Sequence, residues 1–176
     1  MTHRTLTSIA GLPTEIGFYL SGMDEVRDQL RAAVAGMSDE QISRPVIPGA
    51  HSIAALVLHI GEAEWHWMQE VVSGHQVTDE IRNAPCWDVL KEPKRSSQRS
   101  YSAEFCLNEI KQIRQQTAET LASCSDAQFD HVFSYERNGK TYDLTLRWIL
   151  HHLIDHEAQH KGQILMLKRL LGSPGN

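Results

Sequence analysis

The strongest constraint on the fold lies near the C-terminus, where Leu146, Ile149, Leu153, Ile164, Leu167 and Leu171 recur at helical spacing. Apolar residues returning every three or four positions form a stripe along one face of a helix, and that stripe must be buried against another element. The stretch from about Leu144 to Leu171, stopped by Gly172 and Pro174, therefore reads as one long amphipathic helix. Three more stretches follow the same rule. The first runs from about Thr14 to Gly36, with Leu20, Met23, Val26, Leu30 and Val34 in step. The second runs from about Ser52 to Ser73, with Gly74 in the position of a C-cap. The third runs from about Ala103 to Cys124. A turn centred on Asn138-Gly139, flanked by short extended pieces over residues 133–142, precedes the last helix. No convincing sheet is visible, so the fold class is all-α, a four-helix bundle. A long polar connection from Gln76 to Ser100 between helices two and three leaves room for a crossover.

The 176 residues suit a single domain over 1–176, since domains commonly hold roughly 100–200 residues. With 22 acidic and 17 basic residues the net charge is −5, which lacks the basic footprint of a nucleic-acid binder. The cluster Lys91, Lys94, Arg95 and Arg99 lies among serines and prolines and reads as a solvated loop. Cys86, Cys106 and Cys124 are odd in number and form no CxxC pair, so neither a disulfide framework nor a zinc ribbon is indicated. No apolar run reaches the roughly 18 residues of a membrane span, and the N-terminus lacks the apolar run of a signal peptide. The expected setting is the cytoplasm, with a small molecule as partner and neither nucleic acid nor membrane.

Ten histidines are unusual for this length, and they cluster. His51, His59, His66 and His75 form one group, and His151, His152, His156 and His160 form another. Side chains four residues apart share a helix face, so an HxxxH pair can direct two imidazoles at one divalent cation. Helical phase selects among the three stacked on the last helix. Measured from the centre of its apolar stripe, His160 lies within roughly 15°, His156 about 50° and His152 about 90° away. His156 and His160 thus point inward, where a metal ion would relieve the cost of burying unpaired imidazoles. A third ligand must come from another helix. His59 and His66 both lie about 90° from the helix-two stripe, and phase does not choose between them. His156-Glu157-Ala158-Gln159-His160 also matches the zincin pattern, but Glu157 lies about 45° beyond the stripe centre, away from His156. The Trp65, Trp67 and Trp148 group is available to wall a pocket.

The segment His59-Ile60-Gly61-Glu62-Ala63-Glu64 resembles the helix-two motif of the DinB/YfiT-like metal-dependent enzymes. The stretch Leu144 to Ile164, with its core His156-Glu157-Ala158-Gln159-His160-Lys161-Gly162-Gln163, resembles the family's fourth helix. The resemblance covers nearly the whole chain and implies a four-helix bundle of DinB/YfiT type. It also implies His59, His156 and His160 as the metal ligands. One departure is His51, where members often carry tryptophan or asparagine.

Three histidine ligands leave a coordination position open for chemistry. Some family members are similar to transferases that add a low-molecular-weight thiol such as bacillithiol or mycothiol to electrophiles, which makes a metal-dependent thiol S-transferase the leading expectation. The alternatives are a hydrolase using metal-bound water and a non-catalytic metal-binding stress-response protein. Glu62, one turn after His59, and Gln163, about one turn beyond His160, are the candidates for holding the ligands in place. Imidazole suits several metals, so Zn²⁺ is expected on abundance, with Ni²⁺, Fe²⁺ or Mn²⁺ as alternatives. A homodimer is a further expectation.

Overall fold

Side-chain caps set where three of the four long helices begin. Ser52 Oγ accepts from the Ala55 N–H at 3.1 Å, Ser102 Oγ from Phe105 at 3.0 Å and Thr145 Oγ1 from Trp148 at 3.2 Å, each filling one of the donors that a helix start leaves orphaned. The computed structural model describes residues 5–91 and 100–172. Its elements are α1 (Thr14–Val34), α2 (Asp39–Ser43), α3 (Ile53–Trp65), a π-helix (His66–Val72), α4 (Asp79–Asn83), α5 (Ala103–Ala122), a 3₁₀ turn (Asp126–Gln128), β1 (Val132–Arg137), β2 (Lys140–Thr145) and α6 (Leu146–Leu171). Among the described residues, no helix is long and apolar enough to cross a membrane.

Three boundaries differ from the sequence expectation. The last helix starts at Leu146 because Leu144 and Thr145 complete β2, paired with Phe133 and Val132. The extended pieces are accordingly a full antiparallel hairpin, with Asn138 (φ 53°) and Gly139 (φ 71°) supplying the two positive-φ turn residues. The second long helix keeps α geometry only to Trp65 and then widens into the π-helix. The long connection is also less of a loop than its polarity suggests. It contains α4, capped by Thr78, and buries Cys86 and Val89 in the core. Of the basic cluster, Lys91 is exposed and pairs with Asp88 at 2.6 Å; Lys94, Arg95 and Arg99, like Pro174 after the last helix, lie outside the described residues.

The four long helices form a ring in which α1 neighbours α6 and α5, and α3 neighbours α5 and α6. Helices α1 and α6 run parallel. Arg147 at the start of α6 pairs with Glu15 at the start of α1, while Lys168 near the end of α6 donates to the Ala33 carbonyl near the end of α1 at 2.6 Å. Helices α3 and α5 run parallel too, with Gln69 of the π-helix reaching Thr120 near the end of α5 at 3.4 Å. Parallel neighbours cannot be joined by a tight turn. The chain must travel back along a bundle whose twenty-residue helices span about 30 Å, which is why a long connection separates α3 from α5.

The core falls into two apolar clusters. One gathers the C-terminal ends of α1 and α6 with α3 and the start of α5, and holds Leu30, Leu58, Ile110 and Leu167. The other gathers the opposite ends, with Ile16, Met68, Leu121 and Leu150. Between them lies a layer of four charges, one per long helix: Arg27, Glu64, Arg114 and Glu157. Arg27 Nε donates to Glu157 Oε1 at 2.6 Å and its Nη2 to Glu64 Oε2 at 2.8 Å. Arg114 Nε donates to Glu64 Oε1 at 2.7 Å, its Nη2 to Glu157 Oε2 at 3.3 Å and its Nη1 to Asp24 at 2.9 Å. Arg27 Nη1 also donates to the Ile110 carbonyl at 2.9 Å. The four buried formal charges cancel, as burial of ions requires.

Gly61 marks the closest approach of α3 to α5. A Cβ there would lie 2.8 Å from Ile110 Cγ2 and 3.0 Å from Ile113 Cδ1. Gly61→Ala is expected to cost about 1–3 kcal/mol through overpacking, despite alanine's better helix propensity, and urea denaturation measures it. An unchanged midpoint would mean that the two helices are free to part.

Candidate metal centre

His59 projects from α3, and His156 and His160 project from successive turns of α6. These two helices are neighbours in the ring, and their packing brings the three imidazoles together. One ring nitrogen from each can be chosen so that all three lie within 4.8 Å of one another. His156 Nε2 and His160 Nε2 are 3.2 Å apart. Two nitrogens bound to one tetrahedral ion at roughly 2.0–2.1 Å would stand about 3.3 Å apart, so the spacing suits a shared ion.

The outer nitrogens are already engaged. His59 Nδ1–H donates to Glu62 Oε2 at 2.9 Å, and His160 Nδ1–H donates to Gln163 Oε1 at 2.9 Å. An ionised carboxylate only accepts, so the Glu62 bond fixes the His59 proton on Nδ1 and leaves Nε2 with its lone pair. Glu62 is itself steadied, since its Oε1 accepts the Asp88 N–H at 2.9 Å. Burial, reinforced by the nearby His160, His59 and His152, pushes His156 down to about 3. Burial also lowers His160, against a smaller upward pull from its bond to Gln163. Imidazoles that resist protonation in this way are in the neutral form that metal ligation requires.

The remaining candidates fall elsewhere. His66 does not join the cluster: it donates from Nδ1 to Glu70 Oε2 at 2.7 Å and meets Trp67 and Tyr135 edge-on. His152 stacks on Trp148, with centroids 4.9 Å apart and planes 8° from parallel, and burial lowers its pKa. Glu157, between two of the clustered histidines in sequence, turns into the core to Arg27 and Arg114, so it does not face the histidines as a zincin base would. The Nδ1 of His51 is buried and has no hydrogen-bond partner among the described residues, and His75 is exposed.

A cleft of about 610 Å³ opens beside the histidines. His59, Glu62 and His156 line it, together with His66, Trp67, Glu70 and His152. Of the three tryptophans singled out in the sequence, Trp67 faces this cleft. Trp65 is buried against Trp87, edge to face at 5.5 Å, and Trp148 packs on His152. Trp87, Tyr135 and Arg137 also line the cleft. Sequence reasoning missed them because the hairpin and the long connection carry no local sign of where they fold back.

A family model described as mycothiol-S-transferase matches residues 20–171. A protein of Geobacillus thermodenitrificans (strain NG80-2) named "Putative metal-dependent hydrolase" is 25% identical over 154 residues, covering 88% of this chain and 84% of that one. Among solved structures, YfiT from Bacillus subtilis, described as "a probable metal-dependent hydrolase with an unusual four-helix bundle topology", superposes with a TM-score of 0.66 at 20% identity, covering 98% of this chain and 94% of that one. A conserved protein from Enterococcus faecalis gives a TM-score of 0.60 at 15% identity, covering 88% and 96%. At these identities the structural likeness is one of fold, and it places the bundle beside that of YfiT. With the family model spanning all four long helices except the first turns of α1, the chain belongs to the mycothiol-S-transferase family.

Proposed function

We propose that this protein is a metal-dependent enzyme that holds one divalent cation, Zn²⁺ by abundance, on His59, His156 and His160, and transfers a low-molecular-weight thiol to an electrophile. The observation that carries the reading is the convergence of three imidazole nitrogens within 4.8 Å, with the outer nitrogens of His59 and His160 held by Glu62 and Gln163. When bound, the ion supplies the positive charge that favours the thiolate form of an incoming thiol near neutral pH. Glu62 and Gln163 orient the rings that carry the donor nitrogens, and Trp67 and Tyr135 give the cleft an apolar flank.

The chain's own cysteines do not supply the sulfur. No cysteine is among the residues lining the cleft. Burial pushes the Cys86 thiol up to about 11 and the Cys106 thiol up to about 12, and it raises the Cys124 thiol as well, which favours the protonated form of all three. The nucleophile therefore comes from a co-substrate. Its proton passes to solvent, the sulfur lone pair forms the new S–C bond, and the leaving group departs with the electron pair of the bond it loses. The name of the Geobacillus relative favours a second reading, hydrolysis with water as nucleophile at the same open position.

One assay separates the two. The metal-loaded protein is given monobromobimane with a panel of cellular thiols, and in parallel a panel of ester and amide substrates. Thiol-dependent bimane consumption above the uncatalysed rate is expected. Ester or amide turnover without it would replace the transferase with the hydrolase.

A further inference from the structure

The exposed part of the cleft lining has a chemistry that the histidine cluster does not account for. Arg82 from α4, Lys91 from the segment after it and Arg137 from the end of β1 line the cleft from three separate parts of the chain. The carboxylates that share this lining are already committed. Glu62 accepts from His59 and from the Asp88 backbone, and Glu70 accepts from His66. Lys91 has Asp88 as its partner at 2.6 Å, and it lies near enough to Arg137 to feel that residue's positive charge. Among the described residues, Arg82 and Arg137 have no carboxylate partner. Two exposed guanidiniums lining a cleft without a carboxylate partner, on a chain of net charge −5, attract anions and raise their local concentration.

We infer that the thiol entering this cleft carries carboxylate groups at the end remote from its sulfur, and that Arg82 and Arg137 select it over neutral thiols. This rests on the proposed thiol chemistry at the three histidines: sulfur at the histidines, carboxylates at the two arginines. The cleft volume of about 610 Å³ sits within the range of small-molecule sites, roughly 300–1,000 Å³, which suits a thiol of about tripeptide size. Guanidinium groups are the side chains best matched to carboxylates, because their fork offers paired donors.

The test compares one thiol with its masked form. Protein loaded with Co²⁺ is titrated at low salt with glutathione, which has two carboxylates, and with glutathione diethyl ester, which has none. Binding is read from the sulfur-to-cobalt charge-transfer absorption. Glutathione is expected to bind about tenfold more tightly, as two exposed ion pairs would allow. The preference should shrink in 0.5 M NaCl, and R82A/R137A should bring the acid down to the level of the ester. An ester that binds as tightly as the acid overturns the inference, and so does a preference that survives R82A/R137A.

If neither compound produces the absorption, the thiol chemistry fails on its own, and the arginine pair is then judged without it. Calorimetry with S-methylglutathione and its diester uses the same carboxylates but no free thiol. A preference for the acid that disappears in R82A/R137A upholds the anion-selecting arginine pair, and binding of neither compound rejects it.

Discussion

Glu64→Ala is expected to destabilise the fold by about 3–5 kcal/mol, the cost of removing one partner from a buried ion network. The carboxylate is 1% exposed and accepts from both Arg27 and Arg114. Its removal leaves two guanidiniums sharing Glu157 in the middle of the bundle. Against a total stability of about 5–15 kcal/mol, this is a large fraction. The melting temperature should fall by on the order of 10 °C, and urea denaturation gives the free energy. A loss below about 1 kcal/mol would show that water reaches the layer and screens it. The same residue gives the layer a pH signature. Burial alone would raise the Glu64 carboxyl, but Arg114 and Arg27 outweigh it and hold the group below 4.5. A group depressed in the folded state contributes its full stabilisation above the unfolded pKa, and that contribution is lost as pH falls through the folded value. Stability of the unaltered protein should therefore decline below about pH 4.5 more steeply than that of Glu64→Gln, which has no carboxyl to titrate there.

His156→Ala and His160→Ala are each expected to abolish stoichiometric metal binding while circular dichroism still reports a folded bundle. Neither side chain is part of the apolar clusters, so the cost of removing it falls on the ion. Removing a residue that only orients a ligand typically weakens metal affinity by about 10–100-fold, and Glu62→Gln and Gln163→Ala should fall in that range. The histidine variants should lose more than these do. Metal analysis after desalting, beside a competition titration with a chromophoric chelator, reads both effects. Full metal content in both histidine variants would refute the assignment, and equal losses in all four variants would mean that ligands and orienting residues had been mistaken for one another.

The fold was largely legible because its signals are local. Apolar stripes and the Asn138-Gly139 turn act over a few residues, and each appears where the sequence suggests. His156 and His160 belong to this class, being four residues apart on one helix. What was not legible acts across long separations. The Arg27–Glu157 contact joins residues 130 apart in sequence. On a helical wheel each member of the charge layer looks like a solvated residue interrupting an apolar face. By its motif Glu157 reads as a zincin base, by its helical phase as one turned away from His156, and its place in the core depends on arginines from α1 and α5. His59 and His66 illustrate a different limit. They stand at similar wheel angles, but the backbone leaves α geometry at His66, so a phase carried past Trp65 no longer applies. The family motif pointed to His59, and His59 is the one beside the α6 pair.

That departure at His66 also bears on how such proteins diversify. A π turn is a wider form in which a helix can take up an extra residue, and such turns are frequent at functional sites. Here the absorbed residue lies downstream of His59, within the stretch that carries His66, Trp67 and Glu70 along the cleft wall. Loss of a single codon in that stretch would return the helix to a regular pitch and present a different set of side chains to the cleft, with His59 and its contact to Glu62 left in place upstream. One cleft wall can therefore be rewritten by a change in reading length alone, without renegotiating the three histidines.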